Sequence, residues 1–175
     1  MKKLFALVLA LCLLCGCTAM AETAQAVELN WSDVEEVAND LGGAFIGIDL
    51  GLVIWAPNDY VVLSELAEEY TSKGIYGMIA KEDLTGVIAL QYVEANGATV
   101  EECVANIEGA TDPKEMVING LPCINFDLKE MDATCVAFAT EQGKLFVLSF
   151  LPMSDEKFAT VSTIMVASIQ TAPEE

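Results

Sequence analysis

Ala133-Thr134-Cys135-Val136-Ala137-Phe138-Ala139-Thr140, Glu141-Gln142-Gly143-Lys144, and Leu145-Phe146-Val147-Leu148-Ser149-Phe150-Leu151 together form the stretch whose reading decides the fold. Two apolar, β-rich runs flank a polar four-residue connection that holds a glycine, the pattern of an antiparallel hairpin. The second run is apolar almost throughout, as is 87–93. A strand with one wet face would alternate, so both faces of this sheet are expected to be covered. Ser154 then stands where a helix cap belongs, and Phe158, Val161, Met165 and Ile169 recur along one face of the helix it would open. A helix laid on antiparallel strands is the α+β class.

Upstream the same grammar repeats. Asn119-Gly120 separates two apolar runs, 116–118 and 121–128, and both residues tolerate positive φ, which predicts a tight hairpin. Thr99-Val100-Glu101-Glu102 is a capping box opening a helix to about residue 108. The runs 75–80 and 87–93 flank the connection 81–86. Before them, 44–49 and 52–56 pair around Gly51 and stop at Pro57, and 63–70 predicts a weaker acidic helix. Ser32-Asp33-Val34-Glu35 predicts a second capping box, with its helix stopped near Leu41 by Gly42-Gly43. Trp31 is placed as a staple against that helix, and Trp55 as core. The expectation is one domain over 30–172, a mostly antiparallel sheet of five to seven strands with helices packed on it.

This order of elements resembles the PsbP-like fold, shared by a photosystem accessory protein and a Ran-binding nuclear import factor. The residues that carry the resemblance are Val53-Ile54-Trp55-Ala56-Pro57, Gly86-Val87-Ile88-Ala89-Leu90, the Thr99-capped helix, Ile118-Asn119-Gly120, the Gly143 hairpin with Phe146 and Ser149-Phe150, and the closing helix to Ser168-Ile169. It spans roughly 44–170. The resemblance implies an α/β/α sandwich around an antiparallel sheet. It brings no catalytic residues with it, because the members of that fold are mainly binding or accessory proteins.

The N-terminus reads as an export signal. Lys2 and Lys3 precede an unbroken apolar run, 4–14, too short for a permanent span of about 20 residues. Two cuts compete. Ala19-Met20-Ala21 fits ordinary signal peptidase, whereas Leu14-Cys15-Gly16-Cys17 resembles a lipobox in which the Cys17 thiol takes a diacylglyceryl group. Residues 1–21 are thus assigned to the signal and 22–29 to a polar tether. The expected location is the outer side of the cell membrane through a lipid on Cys17, with free secretion as the alternative.

Loss of Lys2 and Lys3 leaves six lysines against 27 acidic residues, a net charge of −21 with no arginine. Such a surface repels phosphate, so nucleic acid is not an expected partner and a membrane is met only through the anchor. No histidine is present, which removes imidazole bases and histidine metal sites. Cys103, Cys123 and Cys135 are an odd set read as buried thiols, though Cys123 and Cys135 stand in neighbouring runs that a bridge would join. The four tyrosines are too scattered to suggest a sugar platform. A serine–lysine dyad from Ser149 or Ser154 with Lys144 or Lys157 lacks any motif, and Asp49-x-Gly51 reads as a turn. Asp127, Glu130 and Asp132 are a weak calcium candidate whose plainer reading is a solvated hairpin tip. No cofactor is expected. The sequence points to a non-catalytic binding or accessory module with an unidentified protein or surface ligand. The rival is a carboxylate-dependent hydrolase on a wall or glycan substrate, which would need two acids about 5–10 Å apart in a cleft.

Overall fold

The computed structural model describes residues 26–173, so the signal segment and the cleavage and lipidation candidates Cys17, Ala19 and Ala21 lie outside the described residues. The chain begins with β1 (Val27–Leu29), α1 (Glu35–Leu41), β2 (Gly43–Gly47), β3 (Leu52–Pro57) and β4 (Tyr60–Leu63). It continues through α2 (Glu68–Thr71), β5 (Ile75–Lys81), β6 (Val87–Glu94) and α3 (Val100–Ala105). The rest is β7 (Ala110–Ile118), β8 (Leu121–Leu128), β9 (Ala133–Ala139), β10 (Lys144–Leu151), α4 (Glu156–Ala167) and β11 (Gln170–Thr171).

Eight strands make the main sheet in the order β1-β7-β8-β9-β10-β6-β5-β4, and β11-β3-β2 make a second one. All neighbours are antiparallel except β1 and β7, which run parallel. This is the α+β class. The hairpins follow their turn chemistry: Asn119 (φ 48) and Gly120 (φ 82) both take the left-handed region, and Gly143 (φ 72) does so between β9 and β10.

Both faces of the main sheet are buried, which explains the uninterrupted apolar runs. Successive strand residues point to opposite faces. Phe146, Leu148 and Phe150 therefore join Ile88, Leu90, Val136 and Phe138 beneath Phe158, Ile164 and Met165 of α4 and Ile54 of β3. Leu145 and Val147 join Ile124, Phe126, Cys135 and Ala137 beneath Cys103 and Val104 of α3. Each of the valine, leucine, isoleucine, methionine and phenylalanine side chains among these stabilises the fold by about 1.5–3 kcal/mol on burial. The layers are α3, then the eight-stranded sheet, then α4 with the three-stranded sheet.

Local readings differ from the structure at several places, each for a traceable reason. The Ser32–Glu35 capping box does not form: residues 31–33 wind into a 3₁₀ turn, with the Asp33 and Val34 amides donating to Asn30 and Trp31, and α1 has no side-chain cap. The Trp31 ring packs edge-on against Phe45 (5.1 Å between centroids) and beside Trp55 (6.3 Å). The helix expected over 63–70 is one turn, α2, with no buried residue, and the chain before it forms β4. A helix that buries nothing has only weak local propensity to hold it. Ser154 does not cap α4. Asp155 does, accepting from the Lys157 and Phe158 amides at 2.9 and 2.8 Å, while the Ser154 amide and hydroxyl donate to Asp132. The main sheet has eight strands rather than five to seven, and Val27–Leu29, inside the stretch read as tether, supplies one of them. The Thr99 capping box is present, although its helix ends at Ala105.

Candidate interaction surface

β2 is an edge. Among the described residues it has β3 on one side and no strand on the other. Two observations settle which of its backbone groups are spent. The Ile48 amide donates to Leu52 O (2.9 Å) and the Asn58 amide to Gly42 O (3.4 Å), so the even-numbered residues of β2 are those bonded to β3. On the far side of β3 the Trp55 amide donates to Ser168 Oγ (2.8 Å), which agrees. The N–H and C=O groups of Gly43, Phe45 and Gly47 therefore point out of the sheet.

The side chains around this edge are apolar and open. Phe45 is 42% exposed, Leu41 51% and Leu50 40%, while Trp55, the register partner of Phe45 on β3, is 3% exposed. Gly43 has a packing reason: a Cβ there would lie 2.6 Å from the Trp55 ring and 2.4 Å from Ala56 O. At the far end the turn 48–51 holds Asp49, which accepts from the Leu50 amide (2.8 Å) and from the Tyr92 hydroxyl (2.7 Å). Tyr92 stacks on Tyr76, with centroids 5.3 Å apart and planes at 19°, and both rest on Phe146. Two of the four tyrosines that look scattered in sequence, Tyr76 and Tyr92, are therefore paired in space. No local pattern announces this, because Tyr76 sits at a bulge between Ile75 and Gly77 in the β5–β6 register. Burial and then Asp49 raise the Tyr76 pKa, and burial with the Asp49 bond pushes Tyr92 up to about 12.

The carboxylate candidates do not converge. Asp127 accepts from the Thr134 hydroxyl, Asp132 accepts from Ser154, and Glu130 is exposed on the 3₁₀ turn between β8 and β9. No group of three or more acidic or thiol side chains suited to a metal exists among the described residues. Asn58, Asp59, Val61, Lys81, Glu82 and Asp83 line a hollow of about 480 Å³ at the hairpin tips. Asp59 pairs there with Lys81 at 3.2 Å, and hydrogen bonds from Thr85 lower the Asp83 pKa, the direction opposite to that of a general acid. A narrower cleft of about 170 Å³ runs between α4 and the β7–β8 strands, with Met116, Met153 and Val166 among its apolar walls.

Cys103, Cys123 and Cys135 are free and buried. Cys123 belongs to the α4-side core and Cys135 to the α3-side core, so the sheet itself separates them. Burial pushes the thiols of Cys123 and Cys135 up to about 12 and about 11, and Cys135 donates to Ser149 Oγ at 3.3 Å. Ser149 thus faces a thiol within the sheet.

A central antiparallel sheet with helices on both sides and hairpins in this order has a PsbP-like fold. A solved structure with that fold is cyanobacterial PsbP (CyanoP) from Synechocystis sp. PCC 6803, matched at a TM-score of 0.50 and 11% identity over 75% of this chain and 93% of that one. At that identity the likeness is one of fold. No protein-family model matches the sequence, and no curated protein is similar to it. No helix among the described residues is long and apolar enough to cross a membrane.

Proposed function

We propose that the mature chain is an exported, non-catalytic binding or accessory module, held at the outer face of the membrane by a lipid on Cys17, with a protein as its partner. The observation that carries this reading is the open β2 edge, where Leu41, Phe45 and Leu50 stay exposed around backbone groups that meet no strand among the described residues. Natural proteins blunt such edges with lysine, proline or bulges, and this one has none of these within Gly43–Gly47. Grouped apolar exposure on a folded surface favours contact with another molecule. The charge of −21 directs that contact toward neutral or basic protein rather than nucleic acid. A diacylglyceryl group supplies two chains, enough for stable anchoring, and would confine the domain to a thin layer where its effective concentration is high.

The test is crosslinking on intact native cells, with intact-mass analysis of the recovered chain beside a Cys17→Ser variant. A lipidated N-terminus and a discrete protein adduct are expected. An unmodified chain beginning at Glu22, released equally by wild type and variant, would sink the anchor. A chain that forms no adduct yet cleaves a glycan would favour the hydrolase.

A further inference from the structure

We infer that β2 receives an extended peptide segment of the partner as an added antiparallel strand, and that this segment is apolar along its core and flanked by lysine or arginine. The inference rests on the binding-module reading and specifies its surface. Its geometric basis is the outward set of three N–H and three C=O groups on Gly43, Phe45 and Gly47, the spacing an antiparallel strand needs. A Cβ on Gly47 would meet nothing within 4 Å, so the approach at that end is clear. Phe45, packed edge-on against Trp31, offers an aromatic wall to alternate side chains of the incoming strand.

The chemistry of the occupant follows from charge. Between Val27 and Ser72 the sequence carries ten carboxylates and no lysine or arginine. Asp40 and Asp49 bracket the edge itself. A second copy could satisfy the same backbone groups by pairing Phe45 with its own counterpart. That register would set Gly43 of one copy opposite Gly47 of the other, so the end of α1 that carries Asp40 would approach the turn that carries Asp49 at both ends, between two surfaces of −21 each. Like charges so placed oppose pairing, whereas cationic flanks on a peptide would be drawn to both aspartates. The β4 edge offers exposed Val61 and Val62, but Lys81 paired with Asp59 lies beside it, so it lacks the uniform negative field.

The test titrates the mature chain with a short blocked peptide that has an alternating valine–threonine core and two lysines at each end. A peptide with glutamates in place of the lysines is the comparison. Saturable binding of the lysine peptide, with amide exchange slowed at Gly43, Phe45 and Gly47, is expected. Gly47→Pro removes one outward donor and no bond to β3, and should weaken that binding about tenfold, while Val62→Lys on β4 should leave it unchanged. Circular dichroism and the melting curve of Gly47→Pro establish that it folds. The proposal is overturned if the lysine peptide fails to bind, binds no better than the glutamate peptide, or binds Gly47→Pro equally. Sedimentation showing a dimer of the unliganded chain that Gly47→Pro abolishes would overturn it in favour of a second copy. Should wild type and Gly47→Pro yield the same surface adduct on native cells, the edge fails as the site while the binding-module reading survives.

Discussion

Asn119 holds three parts of the molecule together, and replacing it should cost far more than a turn residue ordinarily does. Its side-chain oxygen accepts from the Trp31 amide (2.7 Å), and its side-chain nitrogen donates to the carbonyls of Ala167 (2.8 Å) and Ile169 (2.9 Å). Its own amide donates to Leu29 O (2.9 Å). One side chain thus joins the β7–β8 turn, the start of the 3₁₀ turn and the end of α4. Asn119→Gly keeps the positive φ and removes three bonds. At about 1 kcal/mol for each part-buried bond the loss is roughly 3 kcal/mol, or about 6–12 °C in melting temperature for a domain of this size. Asn119→Asp keeps an acceptor for Trp31 but turns a carboxylate oxygen toward two carbonyls. Its folded pKa should rise above the unfolded value near 4, so the variant is least impaired below about pH 4 and loses stability as the pH climbs through the folded value. Urea titration followed by fluorescence of Trp31 and Trp55, which lie 6.3 Å apart near this junction, reads both effects. A glycine variant within about 0.5 kcal/mol of wild type, or an aspartate variant whose deficit ignores pH, would refute the reasoning.

The Tyr60 hydroxyl is buried with no partner among the described residues, and burial, with Asp59, Asp155 and Asp83 adding to it, pushes its pKa up to about 12. Tyr60→Phe should be neutral or raise stability by up to about 1 kcal/mol in urea melts. Gly86→Ala should cost about 1–3 kcal/mol, because its Cβ would fall 2.5 Å from the Phe158 ring and 2.6 Å from the Tyr60 oxygen. Cys123 and Cys135 have folded pKa values raised from 9.0 to about 12 and about 11, so they favour the native state fully below pH 9 and lose that contribution as the pH rises toward 11–12. Urea melts at pH 8 and 10.5 should show the drop, and the thiols should meet a disulfide reagent only after unfolding; rapid labelling of the native chain would contradict their burial. With a net charge of −19 over the whole sequence, moderate sodium chloride should raise the melting temperature modestly, and calcium should add nothing at matched ionic strength. A saturable calcium-specific shift would instead mark a site at Asp127, Glu130 and Asp132.

What the sequence determined by itself is whatever a few neighbouring residues settle among themselves. Asn119-Gly120 must turn tightly because both residues accept positive φ, and Thr99 with Glu102 closes a capping box within three residues. The run 145–151 shows a strand buried on both faces because every position in it except Ser149 is apolar, and the lysine and carboxylate counts fix the sign of the surface. Tertiary structure alone decided the pairings that reach across the chain. β1 becomes a strand only because Val27–Leu29 finds β7 nearly ninety residues later, and β4 only because β5 offers it an edge. Three or four residues carry too little propensity to reveal either. The stack of Tyr76 on Tyr92, the second role of Asn119 and the preference of α4 for Asp155 over Ser154 depend likewise on which distant group arrives first at a hydrogen-bonding distance. The exposure of β2 belongs to the same class: 44–49 reads as an ordinary apolar strand, and only the assembled sheets, which cover β3 and stop there, leave its outer edge without a partner strand among the described residues.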